Sequence, residues 1–228
     1  MPTPSRGSLL EPCWRGMRSN LRPALVLQAF ALAIVLGYFW SPEVKSTLDV
    51  VGALKVRYGY AYSALAGCVF GGLVPYAVLL LTGGISKGRR GTELLFYAAL
   101  WLWKGMEVDA FYRAQAHWFG EGTGASTIAI KALVDQFGYV PLWAAPTQVL
   151  LFAWKDAGFS LAGTRAAFER QALGQRVLVV TFSTWVVWLP AVAIIYSLPS
   201  ALQVPLFNLV LCFWCLLMSF ISRSQSAT

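Results

Sequence analysis

The chain has 228 residues, of which 57% are hydrophobic and 12% charged, and its net charge is +8. Soluble domains carry roughly 25% charged residues, so this chain lacks the charge to cover a water-facing surface. A soluble globular enzyme and a disordered chain are both excluded, and the mean hydropathy of +0.60 agrees. Ten Trp, nine Tyr and fourteen Phe suit a protein whose aromatic side chains collect at membrane interfaces. The expected fold is all-α: a polytopic membrane helix bundle of about four to six transmembrane helices, since lipid leaves the backbone no other easy way to satisfy itself.

Residues 1–22 read as a basic tail, with Arg6, Arg15, Arg18 and Arg22 against Glu11. The first apolar run covers about residues 23–40, and no small-residue cleavage pattern follows it, so it reads as a retained helix. The acid-poor start also suits a mitochondrial targeting segment. Residues 41–57 read as a loop. The second run, about 60–82, holds Gly67-x-x-x-Gly71, then Gly72 and Pro75. Small residues four apart let two helix backbones approach closely.

The third run, about 93–118, is apolar only in its first half. Its second half places Lys104 and Glu107 together, with Asp109, Arg113 and His117 in an i, i+4, i+8 stripe nearly opposite. Such a helix does not face lipid all round. Gly120, Gly122 and Gly124 end it. The fourth run, about 138–154, is interrupted by Pro141 and Pro146. Residues 155–176 are polar, with a short amphipathic helix expected around 164–172. The fifth and sixth runs, about 177–198 and 202–221, are separated by Pro199-Ser200 and should form an antiparallel hairpin. The whole reads as one transmembrane domain over residues 23–222, followed by a polar tail at 223–228.

Lys and Arg mark the cytoplasmic side of membrane proteins. With the N-terminus inside, the inside segments hold Arg6, Arg15, Arg18, Arg22, Lys87, Arg89, Arg90, Lys155, Arg165, Arg170, Arg176 and Arg223, or 12 of 18 basic residues. The outside segment at 41–57 holds Lys45, Lys55 and Arg57, and the one at 119–126 holds none. Six crossings with both ends inside are self-consistent. The basic charge then faces anionic headgroups. Nucleic acid is not an expected partner, because no basic run with interleaved aromatics is long enough for a groove. Membrane lipids and a small solute or ion are expected partners, and self-association stays open.

The residues that could carry chemistry are few. One histidine, no G-x-S-x-G elbow and no HExxH leave the common triads and zinc hydrolases without support. Cys212 and Cys215 form a C-x-x-C inside an apolar run, with no further ligands beside it. No cofactor, no metal and no enzymatic activity are expected. The segment Lys131-Ala-Leu-Val-Asp135-Gln136-Phe-Gly-Tyr-Val-Pro141 stands apart. Lys131 and Asp135 are four apart and can pair. Ionisable groups at membrane depth face one another, a bundle interior or a cavity. The pair could pin a helix end or line a pathway.

K-x-x-x-D-Q-x-x-x-x-P, formed here by Lys131, Asp135, Gln136 and Pro141, resembles a signature of a small integral membrane family. That family is named for the mitochondrial inner-membrane protein Mpv-seventeen and the peroxisomal membrane protein of twenty-two kilodaltons. In the last hairpin, Pro199, Asn208 and Trp214 keep the family's spacing of proline, asparagine and tryptophan. Trp185 and Trp188 resemble its upstream tryptophan pair, shifted by one residue, and Phe111-Tyr112 an aromatic pair before the DQ segment. Gln203 stands where the family has an arginine. The resemblance covers about residues 67–220.

The resemblance implies a channel-like or permeability role in a bacterial inner membrane, or in a mitochondrial inner or peroxisomal membrane. The residues expected to line a polar gap are Lys131, Asp135, Gln136, Glu107, Asp109, Arg113, Gln203 and Asn208. The alternative is a structural or assembly protein without a pathway, in which the same charges only pair and position helices. An intramembrane enzyme would need a convergent acid, base and nucleophile, and no such set is visible.

Overall fold

The computed structural model describes the backbone of residues 7–226. The tail residues 1–6, with Arg6, and residues 227–228 lie outside the described residues, as do the side chains of 7–10, Arg170 and 218–226, with Arg223. About 90% of the described residues are helical, with no strand among them, so the all-α expectation holds. In chain order the helices are α1 (Gly7–Trp40), α2 (Pro42–Tyr58), α3 (Tyr60–Ala66), α4 (Val74–Leu81), α5 (Arg90–Phe119), α6 (Ala125–Leu133), α7 (Ala145–Asp156), α8 (Leu161–Arg170), α9 (Leu173–Tyr196) and α10 (Ser200–Ser226). A π-helical stretch, Gly67–Leu73, joins α3 to α4, and another, Val134–Ala144, joins α6 to α7.

Among the described residues, four helical segments are long and apolar enough to cross a bilayer: Glu11–Trp40, Tyr60–Leu81, Leu173–Tyr196 and Ser200–Leu217. Large apolar side chains such as Leu25, Phe39, Leu81, Leu95 and Leu142 point outward. Exposed apolar surface on this scale belongs against lipid, and the chain is an integral membrane protein.

Several segments differ from the sequence reading. Helix α1 begins at Gly7, inside the expected tail. Residues 41–57 are not a loop. Ser41 caps α2 by accepting the Val44 amide at 3.3 Å, Pro42 opens it, and Lys55 and Arg57 occupy its last turn. Each feature suits its place: an oxygen for an orphan amide, a proline where no amide is needed, and cations at the negative end. The fourth run is helical from Ala125 onward, well before residue 138. The short amphipathic helix lies at Leu161–Arg170, capped by Ser160.

Both π stretches end just before a proline. The Val74 amide reaches back to Val69 O ahead of Pro75, and the Ala145 amide to Val140 O ahead of Pro146. Proline has no amide hydrogen and its ring crowds the carbonyl four residues back. Reaching back five residues opens the turn and accommodates it.

The chain packs as two compact units, each built from separate stretches of sequence. The first unit spans Met1–Leu25 and Ala132–Pro190. There Asn20 Nδ2 donates to Ser183 O at 3.4 Å and Trp185 Nε1 donates to Gln136 O at 2.7 Å. The Trp185 ring also packs on Phe137 and Phe182, at centroid distances of 4.6 and 4.9 Å. Arg176 donates to Ala167 O at 2.9 Å, tying α9 to α8.

The second unit spans Val26–Lys131 and Ala191–Thr228. Its core includes Leu27, Ala31, Ile195, Tyr196, Val204 and Val210, all essentially inaccessible. Phe30 of α1 stacks on Phe213 of α10 at 4.4 Å. The small residues of the second run act as expected. A Cβ on Gly67 would fall 2.5 Å from Trp101 O, and one on Gly105 would collide with Ser63 O. The backbones of α3, its π continuation and α5 therefore touch where glycine alone fits.

Gly59, between α2 and α3, has φ +52° and ψ −125°. An L side chain is strained there, because that region is closed to residues with a Cβ. The expected result of Gly59→Ala is a loss of about 1–3 kcal/mol, read from unfolding of the detergent-solubilised protein. An unchanged unfolding curve would mean that this turn is not held as described.

Candidate polar cavity of the second unit

The second unit builds its polar centre around one carboxylate. Asp109, on α5, is fully buried. Ser63 Oγ of α3 donates to its Oδ2 at 2.7 Å. Lys55 Nζ of α2 lies 2.9 Å from its Oδ1. Arg113, one turn along α5, donates from Nε to Oδ1 at 3.0 Å and from Nη2 to Oδ2 at 3.3 Å. The Arg113 guanidinium also lies 4.7 Å from the centroid of the Tyr60 ring. Two cations and a hydroxyl thus compensate a charge that burial alone would make very costly.

The geometry follows from the sequence locally. Asp109 and Arg113 share a face at i, i+4. The sharp turn at Gly59 returns the chain so that Lys55, before it, and Ser63, after it, meet the same carboxylate. The close approach at Gly105 places Ser63 beside α5.

This cluster forms one wall of a cavity of about 400 Å³, lined by residues from the end of α2, the end of α5 and the start of α10. Asp109, Arg113, His117, Glu121, Ser200 and Gln203 contribute its polar walls together with Lys55. Glu121 accepts from Ser200 Oγ at 3.2 Å. Gln203 is almost wholly buried and donates from Nε2 to Leu198 O at 3.0 Å. That bond fastens the α9–α10 turn, which the sequence placed at Pro199-Ser200. His117 faces the cavity, and among the described residues it makes no ion pair within its stripe.

The other expected lining residues lie elsewhere. Glu107 pairs with Lys104 at 2.8 Å, as its spacing suggested. Asn208 is buried on α10 and donates to Val204 O at 3.1 Å, with its carbonyl oxygen unbonded among the described residues. Gln115, absent from the sequence reading, is fully buried and donates to Tyr196 Oη at 2.7 Å. Tyr196 in turn packs on Tyr112 at 5.0 Å.

Lys131 and Asp135 fall in different units. The Lys131 ammonium lies 5.9 Å from the Tyr196 ring centroid. Asp135, buried in the first unit, accepts from Gln136 Nε2 at 2.9 Å. Asp135 sits inside the π stretch. Pro141 lies within the same stretch. Trp188 is half-buried on α9 and Trp214 half-buried on α10.

Outside the candidate spans, α2 carries an exposed Lys45–Asp49 pair at 2.5 Å. The Lys45 hydrogen bond holds the Asp49 carboxyl below its ordinary range. Tyr38 Oη donates to the same carboxylate at 3.2 Å, linking α1 to α2. Among the described residues no group of three or more His, Cys, Asp and Glu could hold a metal ion. Cys212 and Cys215 are not joined in a disulfide.

Compared with family models, curated proteins and solved structures, the chain finds no match.

Removing the Asp109 carboxylate leaves Lys55 buried beside Arg113 with no counter-charge. Asp109→Ala should cost about 3–5 kcal/mol, the usual range for breaking a buried pair from one side. The check is the unfolding transition of the variant against the wild type in the same detergent. A loss below about 1 kcal/mol, the scale of an exposed pair, would show that the cluster is not buried in solution.

Proposed function

We propose that the chain is a small multi-pass membrane protein of the Mpv-seventeen type that lets a small polar solute cross an inner or organellar membrane, with the cavity of the second unit as its water-facing mouth. The observation that carries this reading is the cavity itself, an open polar hollow with charged walls in a protein otherwise built of apolar helices. Its position adds support. If α5 and the α6–α7 segment cross as well, as the six-crossing reading has it, counting basic residues puts the N-terminus and the segments 82–90 and 155–176 inside. The end of α5 and the α9–α10 turn then lie outside, and the cavity walls come from those elements. Charged side chains at such a mouth set which solutes enter.

A second reading has its own observation. The lone pairs of Asp109 are taken up by Ser63, Lys55 and Arg113. A carboxylate so fully used holds helices together and is not left to meet a solute. On that reading the chain is a structural or assembly protein.

Flux into proteoliposomes separates the two. The test variant carries His117→Cys in a background with Cys13, Cys68, Cys212 and Cys215 replaced by Ser. A membrane-impermeant thiol reagent should cut uptake of small polar solutes several-fold in this variant and leave the background protein unaffected. No uptake by protein shown to be folded and inserted would favour the structural reading. Uptake indifferent to the reagent would put the mouth elsewhere.

A further inference from the structure

The walls of the cavity carry donors and acceptors that the fold leaves unspent. Lys55 is more than nine-tenths buried, yet its ammonium, with three N–H bonds, has one partner among the described residues, Asp109. Arg113 commits Nε and Nη2 to Asp109, and Nη1 makes no bond among the described residues. Gln203 is 2% exposed and spends its amide nitrogen on Leu198 O. Its carbonyl oxygen accepts nothing among the described residues. Glu121 accepts one hydrogen bond, from Ser200, and has lone pairs to spare. Lys55 and Gln203 are buried, while Arg113 and Glu121 are partly exposed, so the unspent groups open onto the cavity and are free to bond what enters it.

The charges in the walls balance. Lys55 and Arg113 offset Asp109 and Glu121, and Lys131, outside the wall, acts on Glu121 as well. Its donors gather at the Lys55–Arg113 side, and its acceptors are Gln203 and Glu121. A volume of about 400 Å³ lies toward the small end of ligand sites, which span roughly 300–1,000 Å³.

We infer that this cavity binds a small zwitterion, of the size and chemistry of a free amino acid. The ligand carboxylate takes the unspent N–H groups of Lys55 and Arg113. The ligand ammonium donates to Glu121 and to the Gln203 carbonyl. A lone anion meets Glu121 and Asp109 as repulsion, and a lone cation meets Lys55 and Arg113 the same way. Only a molecule carrying both charges satisfies both sets of groups. This inference rests on reading the cavity as the solute mouth, and it adds the class of solute.

Equilibrium dialysis of the full-length protein in detergent tests it with four labelled probes of similar size: alanine, propionate, propylamine and propionamide. Alanine should bind saturably and at least tenfold tighter than the other three. Glu121 lies on an exposed loop, so Glu121→Gln should fold as the wild type does. That variant should weaken alanine at least tenfold and leave propionate unweakened. Equal binding of alanine and propionate would overturn the inference, as would alanine binding indifferent to Glu121→Gln. Absence of saturable alanine binding by folded wild-type protein would overturn it too. Because dialysis reads binding without transport, selective alanine binding beside silent proteoliposomes would uphold the site and remove the transport reading. Flux without zwitterion selectivity would do the reverse.

Discussion

A carboxylate with no access to water has to be answered by the protein itself, and the second unit is arranged around that requirement at Asp109. The three groups that answer it come from three helices. Lys55 arrives from α2, Ser63 from α3 and Arg113 from α5. In a membrane protein apolar side chains gain little by leaving lipid for one another, so helix association depends on close packing and polar contacts. One saturated carboxylate can then fix the mutual placement of three helices in a way that leucine contacts cannot.

Two backbone features make the convergence possible. The positive φ of Gly59 turns the chain sharply between α2 and α3. The glycine contact of Gly67 and Gly105 brings α3 and its continuation against α5. The same placement leaves a hollow where the ends of α2 and α5 meet the start of α10. Its floor is the ion cluster, and its rim carries His117 and Glu121. Structure and proposed function thus share residues: Lys55 and Arg113 hold the fold with part of their hydrogen-bonding capacity and present the rest to the cavity.

The sequence revealed what composition and local spacing encode. The apolar runs became α1, α3–α4, α9 and α10, and the glycines at 67 and 71 marked a real close approach. Asp109 with Arg113 and Lys104 with Glu107 were legible because a single helix sets their distance. Helix α2 went unread although Ser41, Pro42, Glu43, Lys55 and Arg57 are all placed as helix-end residues. It has no apolar run, and the reading followed apolar runs. Ser63 and Lys55 could not be assigned to Asp109, because the pairing spans 46 residues in the case of Ser63 and depends on how helices fold together. The π stretches at Gly67–Leu73 and Val134–Ala144 were not legible either. The prolines that end both π stretches were visible, but proline position alone does not say whether a helix kinks, breaks or widens.

The most direct measurement of the central role given to Asp109 is a double-mutant cycle with Lys55. Stabilities of the wild type, Lys55→Met, Asp109→Leu and the double variant are compared in one detergent system. If the buried pair organises the unit, each single change strands a charge and the double change removes both. The account predicts a coupling energy of about 2–3 kcal/mol, at the upper end of the range for contacting residues. Additive effects, with coupling under about 0.5 kcal/mol, would contradict it and leave the three helices to be held by something other than this carboxylate.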